Sequence, residues 1–246
     1  MAERQRLDLA IEARGLLPSR ARARDAVLRG TVTVNGVFAS KPHQMVSDSD
    51  VVALDDPASR YVSRAALKLI AGLDAGTLAV KGRVCLDLGA STGGFTQVLA
   101  ERGASRIYAV DVGHGQLSPV VAALPNVVAM EGVNARDLSR DQVPEAVDLL
   151  VCDVSFVSVT KVLAAPLALC GERAEVVILI KPQFEVGREN VGRGGIVSDG
   201  AAIETAVAQI MQFMSDRGFA HKISVPSPIA GGDGNKETVA VFHRIG

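Results

Sequence analysis

The chain has 246 residues, of which 48% are hydrophobic and 22% charged, and its formal net charge is −1. This composition is ordinary for a folded globular protein, and the net charge excludes a surface that is basic all over. Cys85, Cys152 and Cys170 are odd in number and lack metal-ligand spacing, so we expect neither a disulfide framework nor a bound metal. We find no signal sequence and no apolar run of the roughly 20 residues that span a membrane. A cytoplasmic protein without a membrane partner is expected.

The first 54 residues predict two helices followed by a small sheet. A first helix is expected to end near Gly15, and Ser19 is placed to cap a second helix that runs to Arg29. Asn35-Gly36 is a strong hairpin signal between short β-like segments. The polar stretch at 55–59, which contains a proline, predicts a domain break.

Arginines are concentrated in this first segment. Between residues 4 and 29 the chain has seven arginines against three acids. Guanidinium groups pair with phosphate oxygens, so the segment could face a nucleic acid, although a solvated helix face is the simpler interpretation of composition alone. The candidate RNA-binding residues are Arg4, Arg6, Arg20, Arg22 and Arg24.

After Ser63 the predicted strands alternate with helices such as Phe95–Arg102 and Ala201–Arg217. Near-continuous apolar runs such as 176–180 indicate strands that are buried on both faces. We therefore predict an α/β fold with a doubly wound, mostly parallel, seven-stranded sheet and a small N-terminal α+β domain. The predicted strands are Val84–Leu88, Arg106–Asp111, Asn126–Met130, Val147–Asp153, Glu175–Ile180, His221–Val225 and Thr238–His243.

A glycine-rich turn follows the first of these strands and opens a helix. Its glycines let a ligand approach the backbone, but their spacing differs from the dinucleotide fingerprint. Asp87 at the strand end would repel a pyrophosphate, whereas it would tolerate a ligand with a cationic amine. The candidate cofactor-binding residues of this turn are Asp87, Gly89, Ala90, Ser91, Gly93, Gly94 and Phe95.

Polar residues at the ends of the next two strands complete a candidate nucleoside site. Asp111 stands 22 residues after Gly89, where a carboxylate can accept both ribose hydroxyls. Asn134 and Asp137 follow the third strand, so Asp137 could meet an adenine amino group. Each acid alone fits an ordinary loop residue equally well, and the glycine turn at the correct distance favours the nucleoside site.

Charged residues also stand where a buried core would not accept them. Asp153 and Lys181 follow the fourth and fifth strands, at the sheet edge where ligands bind in this architecture. Glu237 precedes the seventh strand. Lys68 lies in a predicted helix at 63–73, where a lysine taken alone is expected to be solvated.

In their order, these segments resemble the TlyA family, often called hemolysin A, whose catalytic half is similar to FtsJ-type RNA ribose methyltransferases. The first 54 residues resemble an S-four-type RNA-binding domain. Further matching motifs are Arg60-Tyr61-Val62-Ser63-Arg64, Lys181-Pro182-Gln183-Phe184-Glu185, Gly194-Gly195-Ile196-Val197 and Ser227-Pro228-Ile229.

The resemblance implies a catalytic tetrad of Lys68, Asp153, Lys181 and Glu237, with Asp153 also at the cofactor. It implies S-adenosyl-L-methionine as the cofactor, and ribosomal RNA or a ribosomal subunit as the partner. The expected reaction is methylation of a ribose 2′-hydroxyl of a cytidine, with Lys181 as the base. The implied domains are residues 1–58 for RNA binding, 59–64 as a linker and 65–246 for catalysis.

Three other interpretations remain. A membrane-active hemolysin is disfavoured because no cationic amphipathic or spanning helix is apparent. A non-catalytic RNA-binding protein is disfavoured because the glycine turn and the whole tetrad are present. A base methyltransferase would need a nucleophilic cysteine, and Cys152 is more simply a core residue inside a strand.

Overall fold

The computed structural model describes residues 4–231 and 233–245. The described residues up to Arg60 form one compact unit, and those from Tyr61 onward form a second. Each unit has its own hydrophobic core: one cluster in the first, and two large clusters that include residues of the central sheet in the second.

The N-terminal unit contains two helices and five short strands in its described part. Ser19 caps the second helix, as predicted, by accepting a hydrogen bond from the backbone N–H of Arg22. Asn35 and Gly36 both adopt positive φ in the hairpin turn, as that dipeptide predicts. The elements are β1 (Arg4–Arg6), α1 (Leu7–Ala13), α2 (Arg20–Leu28), β2 (Val32–Val34), β3 (Val37–Phe38), β4 (Met45–Ser47) and β5 (Val52–Leu54).

These strands form two small sheets. β1 pairs antiparallel with β4, while β3, β2 and β5 form a three-stranded sheet in that order. The sequence predicts β2 and β5 but not β1, β3 and β4, because these three short segments show neither the alternation of residues 31–34 nor the apolar run of residues 51–54.

The second unit alternates strands and helices. Short 3-10 turns lie at Ala135–Asp137, Val159–Lys161, Arg188–Asn190 and Arg193–Gly195. The longer elements are α3 (Ala66–Ala75), β6 (Val84–Leu88), α4 (Gly94–Glu101), β7 (Arg106–Asp111), α5 (Pro119–Ala122), β8 (Val127–Glu131), β9 (Val147–Cys152), α6 (Ala164–Ala168), β10 (Cys170–Ile180), α7 (Pro182–Glu185), α8 (Gly200–Ser215), β11 (Phe219–Pro226) and β12 (Thr238–Arg244).

Seven strands of the described chain form the central sheet in the order β11-β12-β10-β9-β6-β7-β8. Five neighbouring strands of this sheet, β10, β9, β6, β7 and β8, are parallel to one another. β12 runs antiparallel to both of its neighbours, β10 and β11. This confirms the predicted doubly wound, mostly parallel sheet. Because β6 lies between β7 and β9, the strand order reverses there, and the carboxyl end of that switch point is where open α/β sheets bind ligands.

The predicted strand bounds agree with the structure to within two residues except at β10. This strand begins at Cys170, five positions before the predicted start at Glu175. A polar run at 171–173 hid its first half, and the pairing with β9 shifts register across that run. The irregular part carries charged side chains that an apolar pattern cannot reveal.

Helix α3 lies very close to the sheet because of one glycine. A Cβ atom at Gly72 would lie 2.6 Å from Cγ1 of Val239 and 2.9 Å from Cγ1 of Val177. Any side chain there would push the helix away from β10 and β12. The close approach brings the first turn of α3, which carries Lys68, to the strand ends.

Candidate active site

Three of the predicted tetrad residues adjoin the ends of neighbouring strands. Asp153 follows β9 and Lys181 follows the parallel strand β10. Glu237 precedes β12, whose first residue Thr238 lies opposite Ile180 in the antiparallel register. The sheet itself therefore brings these side chains to one edge.

The four tetrad residues form two buried ion pairs. Nζ of Lys181 lies 2.6 Å from Oδ1 of Asp153, and Nζ of Lys68 lies 2.5 Å from Oε2 of Glu237. Lys68 and Lys181 are each 7% exposed and Glu237 is 4% exposed. Lysine and glutamate are almost never so buried without a partner of opposite charge. A lone lysine on a helix is expected to be solvated, whereas Lys68 is buried in an ion pair.

Backbone and amide contacts hold the loop that carries Glu237. The buried Asn235 side chain accepts a hydrogen bond from N–H of Val197 at 3.0 Å and donates one to the carbonyl of Gly195 at 2.8 Å. A Cβ at Gly231 would lie 2.6 Å from Oε1 of Glu237, so only glycine leaves room for that carboxylate. The 195–197 segment thereby supports the tetrad indirectly.

A cavity of about 420 Å³ opens at the switch point of the sheet. Gly89 has φ of +80°, and a Cβ there would lie 2.8 Å from the carbonyl oxygen of Asp153. Glycine therefore permits the turn after β6 to touch the end of β9. The wall consists of Gly89, Ser91, Val110, Asp111, Val112, Gly113, Gln116, Val133, Asn134, Ala135, Asp153, Val154, Ser155, Phe156 and Val162.

The Asp111 carboxylate is fixed by backbone groups on the cavity wall. Its Oδ2 accepts a hydrogen bond from N–H of Ser91, and its Oδ1 accepts one from N–H of Gly113, both at 2.8 Å. Each carboxylate oxygen has a second lone pair, so the group can still accept two hydroxyls of a ribose. Its position at the end of β7 is the one expected for that contact.

Five predicted cofactor-binding residues line this cavity and six do not. Those on the wall are Gly89, Ser91, Asp111, Asn134 and Asp153. Those outside it are Asp87, Ala90, Gly93, Gly94, Phe95 and Asp137.

Their positions in the fold explain why these six lie elsewhere. Asp87 is fully buried beneath the turn, where it accepts a hydrogen bond from the Thr96 hydroxyl at 2.6 Å, and burial raises its pKa to about 7. Phe95 belongs to the core beside α3, and Asp137 is exposed at the end of a 3-10 turn. A Cβ at Gly93 would meet the side chains of Leu117 and Val121.

The remaining two, Ala90 and Gly94, are also packed inside the protein. Ala90 is 6% exposed, and a Cβ at Gly94 would lie 2.8 Å from Cβ of Ser63. The glycines at 93 and 94 thus serve helix packing in this structure.

Two loops that complete the cavity wall are not among the predicted site residues. One follows Asp111 and includes Gly113 and Gln116; its glycines were a signal that went unused. The other follows Asp153 and includes Ser155 and Phe156. Phe156 is 91% exposed with φ of +66°, and its ring centroid lies 5.3 Å from that of Phe184. No local pattern predicts that arrangement.

Cys152 lies next to this site but is not available for chemistry. Its side chain is fully buried, and burial raises the pKa of its thiol to about 12. A thiolate nucleophile is therefore not formed near neutral pH. This disfavours a mechanism through a covalent cysteine adduct.

The candidate RNA-binding arginines fall into two groups. Arg6 and Arg20 both contact the buried Asp8, at 2.9 and 3.0 Å, and the hydrogen bond from Arg6 is the main cause that lowers the pKa of Asp8 to about 2. Arg22 donates to the carbonyl of Ala58. Arg4 and Arg24 are exposed, and Arg24 makes no ion pair with another described residue. Part of the basic segment thus stabilises its own unit.

Residues 4–231 and 233–245 contain no group of three or more histidine, cysteine, aspartate or glutamate side chains that could hold a metal ion. None of their helices is long and apolar enough to cross a membrane.

Comparison with known proteins agrees with this fold. The pattern of the FtsJ-like methyltransferase family matches residues 61–244, and that of the S4 domain matches residues 5–52. The chain is therefore a methyltransferase that carries an S4 domain.

Comparison with individual proteins shows which family of methyltransferases the chain belongs to. The 16S/23S rRNA (cytidine-2′-O)-methyltransferase TlyA of Mycobacterium tuberculosis is 42% identical over 239 residues, which cover 96% of this chain and 89% of that protein. Hemolysin A of Brachyspira hyodysenteriae is 37% identical, with 96% and 99% covered. The solved structure of a protein from Streptococcus thermophilus described as a putative hemolysin superposes with a TM-score of 0.76 at 36% identity, covering 100% of this chain and 90% of that one. The chain belongs to the TlyA family.

Proposed function

We propose that this protein transfers a methyl group from S-adenosyl-L-methionine to a ribose 2′-hydroxyl of ribosomal RNA, with cytidine as the target. The relative from Mycobacterium tuberculosis carries that activity in its name. One observation supports the proposal most strongly: Asp153 lines the nucleoside-sized cavity and also forms the ion pair with Lys181. The cofactor site and the candidate base thus share a residue.

The cavity fits the cofactor in size and in chemistry. Its volume of about 420 Å³ is in the range of ordinary small-molecule sites. Asp111 would hold the ribose hydroxyls, Asn134 would contact the nucleoside, and the Gly89 turn would admit the ligand next to the backbone. When bound, S-adenosyl-L-methionine supplies a methyl group on a sulfonium, so the transfer needs a nucleophile but no covalent link to the protein.

The buried lysines and acids then act on the RNA hydroxyl. Lys181 accepts the hydroxyl proton at Nζ, an effect that general bases typically supply at about 10²–10⁴-fold in rate. Asp153 holds that amine at 2.6 Å. Lys68 and Glu237, paired at the same sheet edge, orient the hydroxyl.

The N-terminal unit supplies the RNA affinity in this proposal. Arg4 and Arg24 pair with phosphates, together with the exposed parts of Arg6, Arg20 and Arg22. Contacts of this kind favour recognition of RNA shape over base sequence. The working boundaries are 1–58 for the RNA-binding domain, 59–64 for the linker and 65–246 for the methyltransferase domain, with ribosomal RNA or a ribosomal subunit as the partner.

Replacement of the base tests the proposal. Lys181→Met keeps the length of the side chain and removes the amine, and Lys81→Met at an exposed position is the matched control. We expect the Lys181 variant to lose methyl transfer to ribosomal RNA while it still binds the cofactor in calorimetry. The Lys81 variant should keep both properties.

Mass spectrometry of the RNA product locates the methyl group. A methyl on the ribose of a cytidine is expected from the wild-type protein with isotopically labelled donor. Full activity in Lys181→Met, or a methyl group on the base, contradicts the proposed chemistry. A wild-type protein that binds the donor but modifies no ribosomal RNA contradicts the proposed substrate.

A further inference from the structure

We propose that Ser155 is a positioning residue that orients the amine of Lys181 for proton transfer, an inference that rests on the proposed role of Lys181. The Ser155 hydroxyl accepts a hydrogen bond from Nζ of Lys181 at 2.8 Å and stands on the cavity wall. Ser155 is not one of the four charged tetrad residues, and no sequence motif predicts a role for it.

The geometry of the amine gives the hydroxyl its task. A neutral lysine amine has two N–H groups and one lone pair, and it rotates about the Cε–Nζ bond unless both N–H groups are held. Nζ donates one hydrogen bond to Ser155 Oγ at 2.8 Å and a longer one to the backbone carbonyl of Asp153 at 3.4 Å, while Oδ1 of Asp153 forms the ion pair at 2.6 Å. The lone pair is then directed away from both acceptors. Without the serine, rotation about Cε–Nζ would turn the lone pair away from that direction.

The segment that carries Ser155 is itself fixed at both ends. N–H of Asp153 donates to the carbonyl of Leu88 at 2.9 Å, which ties the start of the segment to the cofactor turn. N–H of Val159 donates to Oε1 of Glu185 at 2.9 Å, which ties its end to α7. The hydroxyl is therefore placed before any substrate arrives, as efficient positioning requires.

Three variants of the full-length protein test the inference. Ser155→Ala removes the hydroxyl, Ser155→Thr keeps it, and Ser158→Ala removes a hydroxyl from the same segment that bonds only to Thr160 and Glu185 among the contacts of the described chain. Single-turnover methylation of ribosomal RNA is measured against pH, and cofactor affinity is measured by calorimetry.

We expect Ser155→Ala to lower the single-turnover plateau by about 2- to 10-fold, the size typical of one hydrogen bond between neutral groups. Cofactor affinity should change by less than about twofold, since the hydroxyl acts through Lys181. Ser155→Thr should recover most of the rate, and Ser158→Ala should resemble the wild type.

Other outcomes overturn the inference. A wild-type plateau in Ser155→Ala removes the role altogether. A loss of rate matched by an equal loss of cofactor affinity assigns Ser155 to cofactor binding. A Thr variant as slow as the Ala variant, with both folded, makes the effect a packing effect. If Ser155→Ala is fully active while Lys181→Met is inactive, only this inference fails; if Lys181→Met is itself active, the proposed function fails first.

Discussion

Gly72 sets the distance between α3 and the sheet, so a single methyl group there should disturb catalysis more than stability. The Cβ of Gly72→Ala would lie 2.6 Å from Cγ1 of Val239 and 2.9 Å from Cγ1 of Val177. Carbon atoms are comfortable at roughly 3.5–4.0 Å, so the helix must move outward by about 1 Å. Lys68 is one helical turn away and moves with it.

The two effects of this change differ in size. Overpacking costs about 1–3 kcal/mol in the free energy of unfolding, and the better helix propensity of alanine offsets about 1 kcal/mol of that cost. A net loss of about 0–2 kcal/mol leaves the protein folded. A shift of about 1 Å in a catalytic group can lower a rate by roughly 10²-fold. Nζ of Lys68 lies only 2.5 Å from Oε2 of Glu237, so an outward shift of the helix by about 1 Å would break this contact.

Single-turnover methylation and thermal unfolding, measured on the same samples, separate the two effects. Gly200→Ala is the control, because a Cβ there meets nothing within 4 Å. Adding Val239→Ala to Gly72→Ala removes the nearer clash and should restore part of the rate. A Gly72→Ala variant that is destabilised but turns over at the wild-type rate would refute the claim that helix spacing sets the tetrad geometry.

Three further substitutions have expected outcomes. Because burial raises the pKa of Asp87 to about 7, the folded carboxyl keeps its proton to higher pH than the unfolded one, whose value is 3.8; stability therefore falls as pH rises between those values. Asp87→Asn, which cannot ionise, should remove that decline and raise the melting temperature at pH 8, and calorimetric melts from pH 4 to 8 measure it. Arg24→Ala should weaken RNA binding and reduce the slope of log affinity against log salt by about one, with unchanged melting. Arg29→Ala should mainly destabilise, since its guanidinium donates to both oxygens of Asp56 at 2.7 Å; titrations at several salt concentrations and melting curves compare the two variants.

The sheet could be predicted from sequence because its strands are buried on both faces. Apolar runs such as those of β6 and β9 are unmistakable, and each ends at a charged residue or a glycine turn. In a parallel sheet those ends meet at one edge, so Asp153 and Lys181 could be placed together before any coordinates were known. The strand pattern predicts at which edge of the sheet a residue lies, but it does not predict which side chains that residue contacts.

What the sequence could not give is the choice of partners. Lys68 pairs with Glu237, 169 positions away, and no local spacing predicts which acid each lysine contacts. The basic N-terminal segment shows the same limit, since a count of charges does not reveal that Asp8 holds both Arg6 and Arg20. The cavity wall after Asp153 is similar: its apolar residues carry no chemical signature until the fold brings them to the cofactor turn.

The pairing also determines how substitutions in the tetrad must be interpreted. Removing Lys181 leaves the carboxylate of Asp153 without its 2.6 Å partner on the wall of the cofactor cavity. An uncompensated buried charge destabilises its surroundings by more than the loss of a contact, so the single variant combines a missing base with a disturbed site. Lys181→Met with Asp153→Asn removes both charges of the pair and leaves no unpaired carboxylate at position 153. If both the single and the double variant bind the cofactor and neither methylates RNA, the missing amine explains the loss of activity. If only the double variant binds the cofactor, the unpaired carboxylate of Asp153 explains the loss of activity in the single variant.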